Sequence, residues 1–216
     1  MVEGGCVDIE FQVLGMISNN VYLISDGKTN FVVDPSCKID DIMEMVGERK
    51  IEAIVLTHRH QDHVGAAKAL RDRTGATVIA SAIDAPWICG EKVARGERRF
   101  EPCPVDQPVA HGDILQIGDM AWKVIGTPGH TPGGICLYLD PRFGKDPEGL
   151  PVLISGDTLF CGSIGRTDFE GGDMDAMRSS LKRLAVLPDS TIVLPGHESL
   201  TQVGNERQRV FATYAR

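Results

Sequence analysis

The stretch Thr57-His58-Arg59-His60-Gln61-Asp62-His63 decides how this chain is read, because four metal-ligating side chains fall between positions 58 and 63. It follows an apolar, β-branched run at 51–56 and precedes a small-residue segment with Gly65, Ala66, Ala67 and Ala69. On extended or turning backbone alternate side chains point the same way, so His58 and His60 share a side. Asp62 and His63 begin the next element and can swing toward a neighbouring point. One short loop can therefore serve two metal ions.

Outward from this loop, residues 11–14, 20–24 and 30–33 read as strands. The last two are joined by the turn Ser25-Asp26-Gly27-Lys28, and Asp34-Pro35 closes the third. Ile39, Ile42, Met43 and Val46 have helical spacing, which makes the order up to the loop β-β-β-α-β. Downstream, 64–73 reads as a helix stopped at Thr74-Gly75, and 77–80 as a buried strand. The proline-bearing region 84–108, with the charged cluster Glu97-Arg98-Arg99, is expected to be a surface excursion flanking a pocket.

Strand patterns resume at 114–117, 121–125, 135–139 and 152–154. Asp173 caps a helix to about Leu187, with Met174, Met177, Leu181 and Leu184 on one face. A strand at 191–194 and a helix at 205–214 follow. Strands followed by helices occur twice, and no linker divides them, so residues 1–216 are expected to form a single domain of two β-rich halves with helices outside.

Hydrophobic content of 42% suffices for a buried core without staples. A net charge of -8 with no long basic run argues against a nucleic-acid backbone or an anionic membrane as partner. No stretch reaches the length of a membrane span, and no leader-like segment stands at the N-terminus. The six cysteines, Cys6, Cys37, Cys89, Cys103, Cys136 and Cys161, are scattered without a C-x-x-C pair. They read as reduced thiols of a cytoplasmic protein.

Three further residues stand where metal ligation is favoured, at strand ends beside glycine. His130 lies in Thr127-Pro128-Gly129-His130-Thr131-Pro132-Gly133-Gly134, Asp157 in Ser155-Gly156-Asp157-Thr158, and His197 in Pro195-Gly196-His197-Glu198. Each alone reads as a turn residue, and their coincidence with the 58–63 cluster carries the argument. Five histidines and two aspartates suit a divalent pair, zinc first, with iron or manganese as alternatives. His111, in ordinary turn company, is left out.

The 58–63 cluster, the His130 turn, Gly156-Asp157-Thr158 and Pro195-Gly196-His197, in this order, resemble the metallo-β-lactamase-fold hydrolases. The resemblance spans 11–197 and implies an α+β fold, a four-layer αββα sandwich with the metal site at the edge between two sheets. It assigns His58, His60 and His130 to one ion, Asp62, His63 and His197 to the other, and Asp157 to both. Within the superfamily the chain is most similar to glyoxalase II, the hydroxyacylglutathione hydrolases. Only 19 residues follow His197, so the family's glutathione-binding C-terminal domain is expected to be largely missing.

The implied reaction is cleavage of an S-acylglutathione-like thioester, a small-molecule substrate, by a metal-bridging hydroxide that Asp62 both ligates around and orients. Arg166, in Phe160-Cys161-Gly162-Ser163-Ile164-Gly165-Arg166, is a candidate clamp for a substrate carboxylate, or else a structural partner of Asp168. Cys161 reads as a buried structural thiol rather than a nucleophile. The alternative is a persulfide dioxygenase, whose motifs are similar and which by resemblance would use one iron on His58, His130 and Asp157. The acyl group, the thiol carrier and any homo-oligomer are left open.

Overall fold

Two six-stranded sheets, ordered β1-β2-β3-β4-β5-β6 and β12-β11-β10-β9-β8-β7, run in chain order through the computed structural model. It describes residues 7–93, 100–142 and 149–215; Cys6 and the Glu97-Arg98-Arg99 cluster lie outside them. The first sheet comprises β1 (Asp8–Leu14), β2 (Asn19–Ser25), β3 (Asn30–Val33), β4 (Ile51–Leu56), β5 (Thr77–Ser81) and β6 (Gln107–Val109). The second comprises β7 (Ile114–Ile117), β8 (Met120–Gly126), β9 (Ile135–Leu139), β10 (Val152–Gly156), β11 (Ile192–Pro195) and β12 (Thr201–Gln202).

Strands β2 to β5 and β9 to β11 are largely buried on both faces, which explains why they read as nearly continuous apolar runs, while of the edge strands β7 alternates buried and exposed and β1 is mostly exposed. Tyr22, Ile24, Phe31, Val33 and Val55 meet Trp122, Val124, Leu137 and Ile154 between the sheets. At the centre the Phe31 and Trp122 rings stand edge-on with centroids 5.7 Å apart. The opposite pleat positions Val21, Leu23, Val32, Ile54 and Leu56 pack under α1 (Ile39–Val46) and α3 (Ala67–Thr74) through Ile42, Val46, Ala67 and Leu70. On the other side Cys136, Leu153 and Val193 pack under Met177, Leu181 and Leu184 of α5 (Met174–Leu184) and under Val210 and Phe211. The layers are helix, sheet, sheet, helix. Each of these buried aliphatic side chains contributes about 1.5–3 kcal/mol relative to exposure.

Several local expectations are corrected. The helix read over 64–73 is divided into α2 (Gln61–Val64) and α3 around Gly65, whose backbone packs so closely that a Cβ there would lie 2.3 Å from the Ser36 carbonyl oxygen. The backbone there docks on the preceding loop, with the Ala66 N–H donating to Pro35 O at 2.9 Å. Asp173 caps α5, accepting from Asp175 N at 2.8 Å and Ala176 N at 2.9 Å. The helix nevertheless stops at Leu184 rather than near Leu187, since Pro188 disfavours helical backbone at the residue before it. The last helix starts earlier than expected, with a 3-10 turn (Val203–Asn205), a π-helical stretch (Arg207–Phe211) and α6 (Ala212–Tyr214). The region read as irregular holds α4 (Ala85–Ile88) and β6, and none of its described residues lines the main cleft. The five described cysteines form no disulfide, and Cys161 is only half-buried. Among the described residues no helix is long and apolar enough to cross a membrane.

β3 runs parallel to β4, and β10 parallel to β11. Their carboxyl ends meet at one edge of the sandwich, carrying Asp34 after β3, the 57–63 loop after β4, Asp157 after β10 and His197 after β11.

Candidate metal centre

The structure brings together all seven residues that the sequence singled out. They form three overlapping groups, His58 with His60 and His130, Asp62 with His63 and His197, and His58 with His63 and Asp157, with candidate ligand atoms within 4.8 Å in each. His111 stays apart, exposed, its Nδ1 accepting from Gly126 N at 3.2 Å.

Four of the five histidines are held by the protein through Nδ1 and turn Nε2 inward. His130 Nδ1 donates to Arg166 O at 2.7 Å, His197 Nδ1 to Ile17 O at 3.0 Å and His63 Nδ1 to Asp34 Oδ2 at 2.8 Å. His58 Nδ1 lies 3.1 Å from Thr57 Oγ1. A tautomer fixed in this way leaves Nε2 as an acceptor for a cation. His60 is turned the other way, with Nδ1 2.8 Å from His130 Nε2. His63 Nε2 and His197 Nε2 approach to 3.3 Å.

The carboxylates fill the middle. Asp157 Oδ1 is 3.2 Å from His63 Nε2 and Asp157 Oδ2 is 3.3 Å from His130 Nε2, so one side chain reaches both halves of the cluster. Asp62 Oδ2 lies 3.1 Å from His197 Nε2 and 3.2 Å from His63 Nε2. Burial raises the pKa of both carboxyls, yet the surrounding imidazoles outweigh it and hold Asp62 and Asp157 below the usual carboxylate range. For His63 burial favours the neutral ring, and the Asp157 and Asp34 carboxylates override it and push its pKa well up. Burial also opposes charge on His197, but the Asp62 hydrogen bond raises it. His58 and His130 are pushed down, chiefly by burial, with neighbouring histidines adding to it.

This donor set fits divalent cations. The buried His58 Nε2 has no hydrogen-bond partner among the described atoms, and the ionised carboxylates demand positive charge between them. Mixed imidazole and carboxylate donors suit zinc, iron or manganese.

The cluster floors a cleft of about 840 Å³ walled by Ile17, Phe160, Ile164, Phe169, Glu170 and Glu198. Arg166 lines it too. Its guanidinium is forked onto Asp168, with bonds of 2.7 and 2.6 Å, and stacks 3.8 Å over the Phe169 ring. Glu198, beside His197, adopts φ 66°, a left-handed conformation of the kind found where a site over-determines its backbone.

Two functional carboxylates were not foreseen. Asp34 was read only as a strand terminator. It is 2% exposed and accepts from Thr57 N at 2.8 Å and Thr57 Oγ1 at 2.7 Å as well as from His63. Its place at the end of a strand beside the ligand loop was the available signal. Asp84, in a stretch read as irregular, is fully buried.

Fold and site together define a metallo-hydrolase. The profile of the metallo-beta-lactamase superfamily matches residues 14–197, and the chain belongs to that superfamily. It is 30% identical over 212 residues to the hydroxyacylglutathione hydrolase GloC of Haemophilus influenzae, covering 94% of this chain and 96% of that one. It is 31% identical to the probable metallo-hydrolase YqgX of Bacillus subtilis over 91% and 92% of the two chains. Among solved structures it resembles the B3 metallo-beta-lactamase BLEG-1 (31% identity, TM-score 0.82, 95% and 100% covered). It also resembles TTHA1623 in a di-iron-bound form (33%, 0.76, 93% and 98%) and ETHE1 from Myxococcus xanthus (30%, 0.74, 94% and 82%).

Proposed function

We propose that the chain is a binuclear thioesterase of the glyoxalase II type, acting on small S-acyl thioesters. The observation that carries this reading is Asp157, whose two oxygens lie 3.2 Å from His63 and 3.3 Å from His130 and thus reach toward both groups at the floor of an open cleft. His58, His60 and His130 would hold one ion, Asp62, His63 and His197 the other, and Asp157 both. When bound, such a pair supplies Lewis acidity toward a carbonyl and lowers the pKa of water to near neutrality.

The chain's own residues supply the rest. Asp62, 28% exposed and facing the cleft, accepts a hydrogen bond from an entering water and sets its direction. The apolar wall of Phe160, Ile164 and Phe169 receives an acyl group and excludes water around it. Arg166 offers a planar fork for a substrate carboxylate, exchanging it for Asp168. A thiolate leaves without strong acid assistance, so the arrangement suits a thioester better than an amide. The likeness to GloC supports the same class.

The test is a substrate panel on the purified protein: S-D-lactoylglutathione, a β-lactam and, under air, glutathione persulfide. Thioester cleavage without oxygen uptake is the expected outcome. Persulfide-dependent oxygen consumption with no thioester cleavage would replace the reading with the dioxygenase.

A further inference from the structure

We propose that Asp84 is a positioning residue for the His58–His60–His130 group, its carboxylate tying the ligand loop of the first sheet to the ligand turn of the second. This rests on the metal-binding reading above.

Asp84 follows β5, immediately before α4, and is fully buried. Its Oδ2 accepts from the Arg59 N–H at 3.2 Å and from Thr131 Oγ1 at 2.8 Å, while Oδ1 accepts from the Gly133 N–H at 3.0 Å. Arg59 stands between His58 and His60, and Thr131 directly follows His130. One carboxylate thus bonds to the backbone that carries two of these histidines and to the turn that carries the third. The fit is close. A Cβ at Gly133 would lie 2.5 Å from Asp84 Cγ, so only glycine lets the turn approach the carboxylate.

The donors matter because burial alone pushes the Asp84 carboxyl up, and the Thr131 hydroxyl, the Arg59 charge and the two N–H groups offset this only in part. A buried carboxylate is costly unless its oxygens are bonded, and here both are. The Arg59 side chain turns toward Trp87 and Glu170. Its guanidinium lies 4.1 Å over Trp87 and donates to Glu170 O at 2.6 Å, which ties the same loop to the cleft wall. Ile135 N also donates to Thr57 O at 2.9 Å, on the side of His58 away from His60. The Asp84 bonds lie on the His60 side of that one, next to the 2.8 Å approach of His60 to His130. Asp84 thus adds a tie at the end of the loop where His60 meets His130.

The experiment titrates zinc against a chromophoric chelator in the wild type and in Asp84→Ala, Asp84→Asn and Thr131→Val. Asp84→Ala should weaken one of two binding steps by about tenfold to a hundredfold, as loss of an outer carboxylate does, and leave the other in place. Asparagine keeps one acceptor and should fall between. Should Asp84→Ala fail to fold, Thr131→Val, which removes a single hydroxyl, carries the test with a smaller weakening of the same step. Unchanged binding in these variants, or equal weakening of both steps, would overturn the assignment, since a general structural role spares neither ion. The wild-type step count tests the binuclear reading separately. A single step there would sink that reading while the variant-to-wild-type ratio still reports on Asp84, because the one-iron alternative also uses His58 and His130.

Discussion

His63 Nδ1 lies 2.8 Å from Asp34 Oδ2, with both side chains closed off from solvent. The carboxylate is itself fixed by Thr57 N and Thr57 Oγ1, so it can only accept from the ring and turn Nε2 toward Asp62, Asp157 and His197. Replacing Asp34 by alanine should weaken metal binding by about tenfold to a hundredfold. Zinc competition measures this directly, and wild-type affinity in the variant would contradict the role.

Metal removal should destabilise the fold. With an ion present at about a hundred times its dissociation constant, the native state gains about 2.7 kcal/mol. At about 2–4 °C per kcal/mol for a chain of this size, chelation should lower Tm by about 5–10 °C, and added zinc should restore it. Differential scanning calorimetry before and after chelation decides the matter. An unchanged Tm would mean that the cluster holds no ion tightly.

Arg166 faces the cleft while bonded to Asp168 and stacked on Phe169. If it clamps a substrate carboxylate, Arg166→Lys loses the fork and should raise KM by about tenfold, the worth of one exposed charge-assisted bond, with kcat little changed. The contrast is a thioester lacking a carboxylate, whose KM should not move. Equal effects on both substrates would assign Arg166 a purely structural part.

The inter-sheet core centres on Trp122, fully buried against Phe31. Trp122→Ala should cost about 3–5 kcal/mol, read from chemical denaturation. A loss below about 1 kcal/mol would show that the sheets can close over the gap.

Cys161 is half-buried, with Arg209 Nη1 3.9 Å from its sulfur. The described bonds place no histidine on it to act as its base. Cys161→Ala is expected to keep wild-type kcat, and a drop of a hundredfold or more in steady-state assays would give the thiol a part in the chemistry.

The site was legible where several residues of one chemistry stood at short spacing. The 58–63 cluster announced itself, and glycine-flanked turns marked His130, Asp157 and His197 as strand-end residues. Lone acids gave no such signal: Asp34 looked like any strand terminator, and Asp84 stood among prolines that hid both α4 and its own burial. The break beside Gly65 was invisible for a different reason, since the docking of this backbone on the Pro35-Ser36 segment is made only in the folded chain. Phe160 and Phe169 could not be placed in the cleft before the loop after β10 was seen to fold over it. Strand β12, two residues long, carries too few positions to show a period.

The most direct test of the central claim is the number of ions per chain in protein purified without added metal, compared between wild type and Asp157→Asn by metal-resolved mass spectrometry. A carboxylate that serves both groups predicts about two divalent ions in the wild type and the loss of at least one in the variant. One iron per chain in the wild type, or two ions retained in the variant, would contradict it.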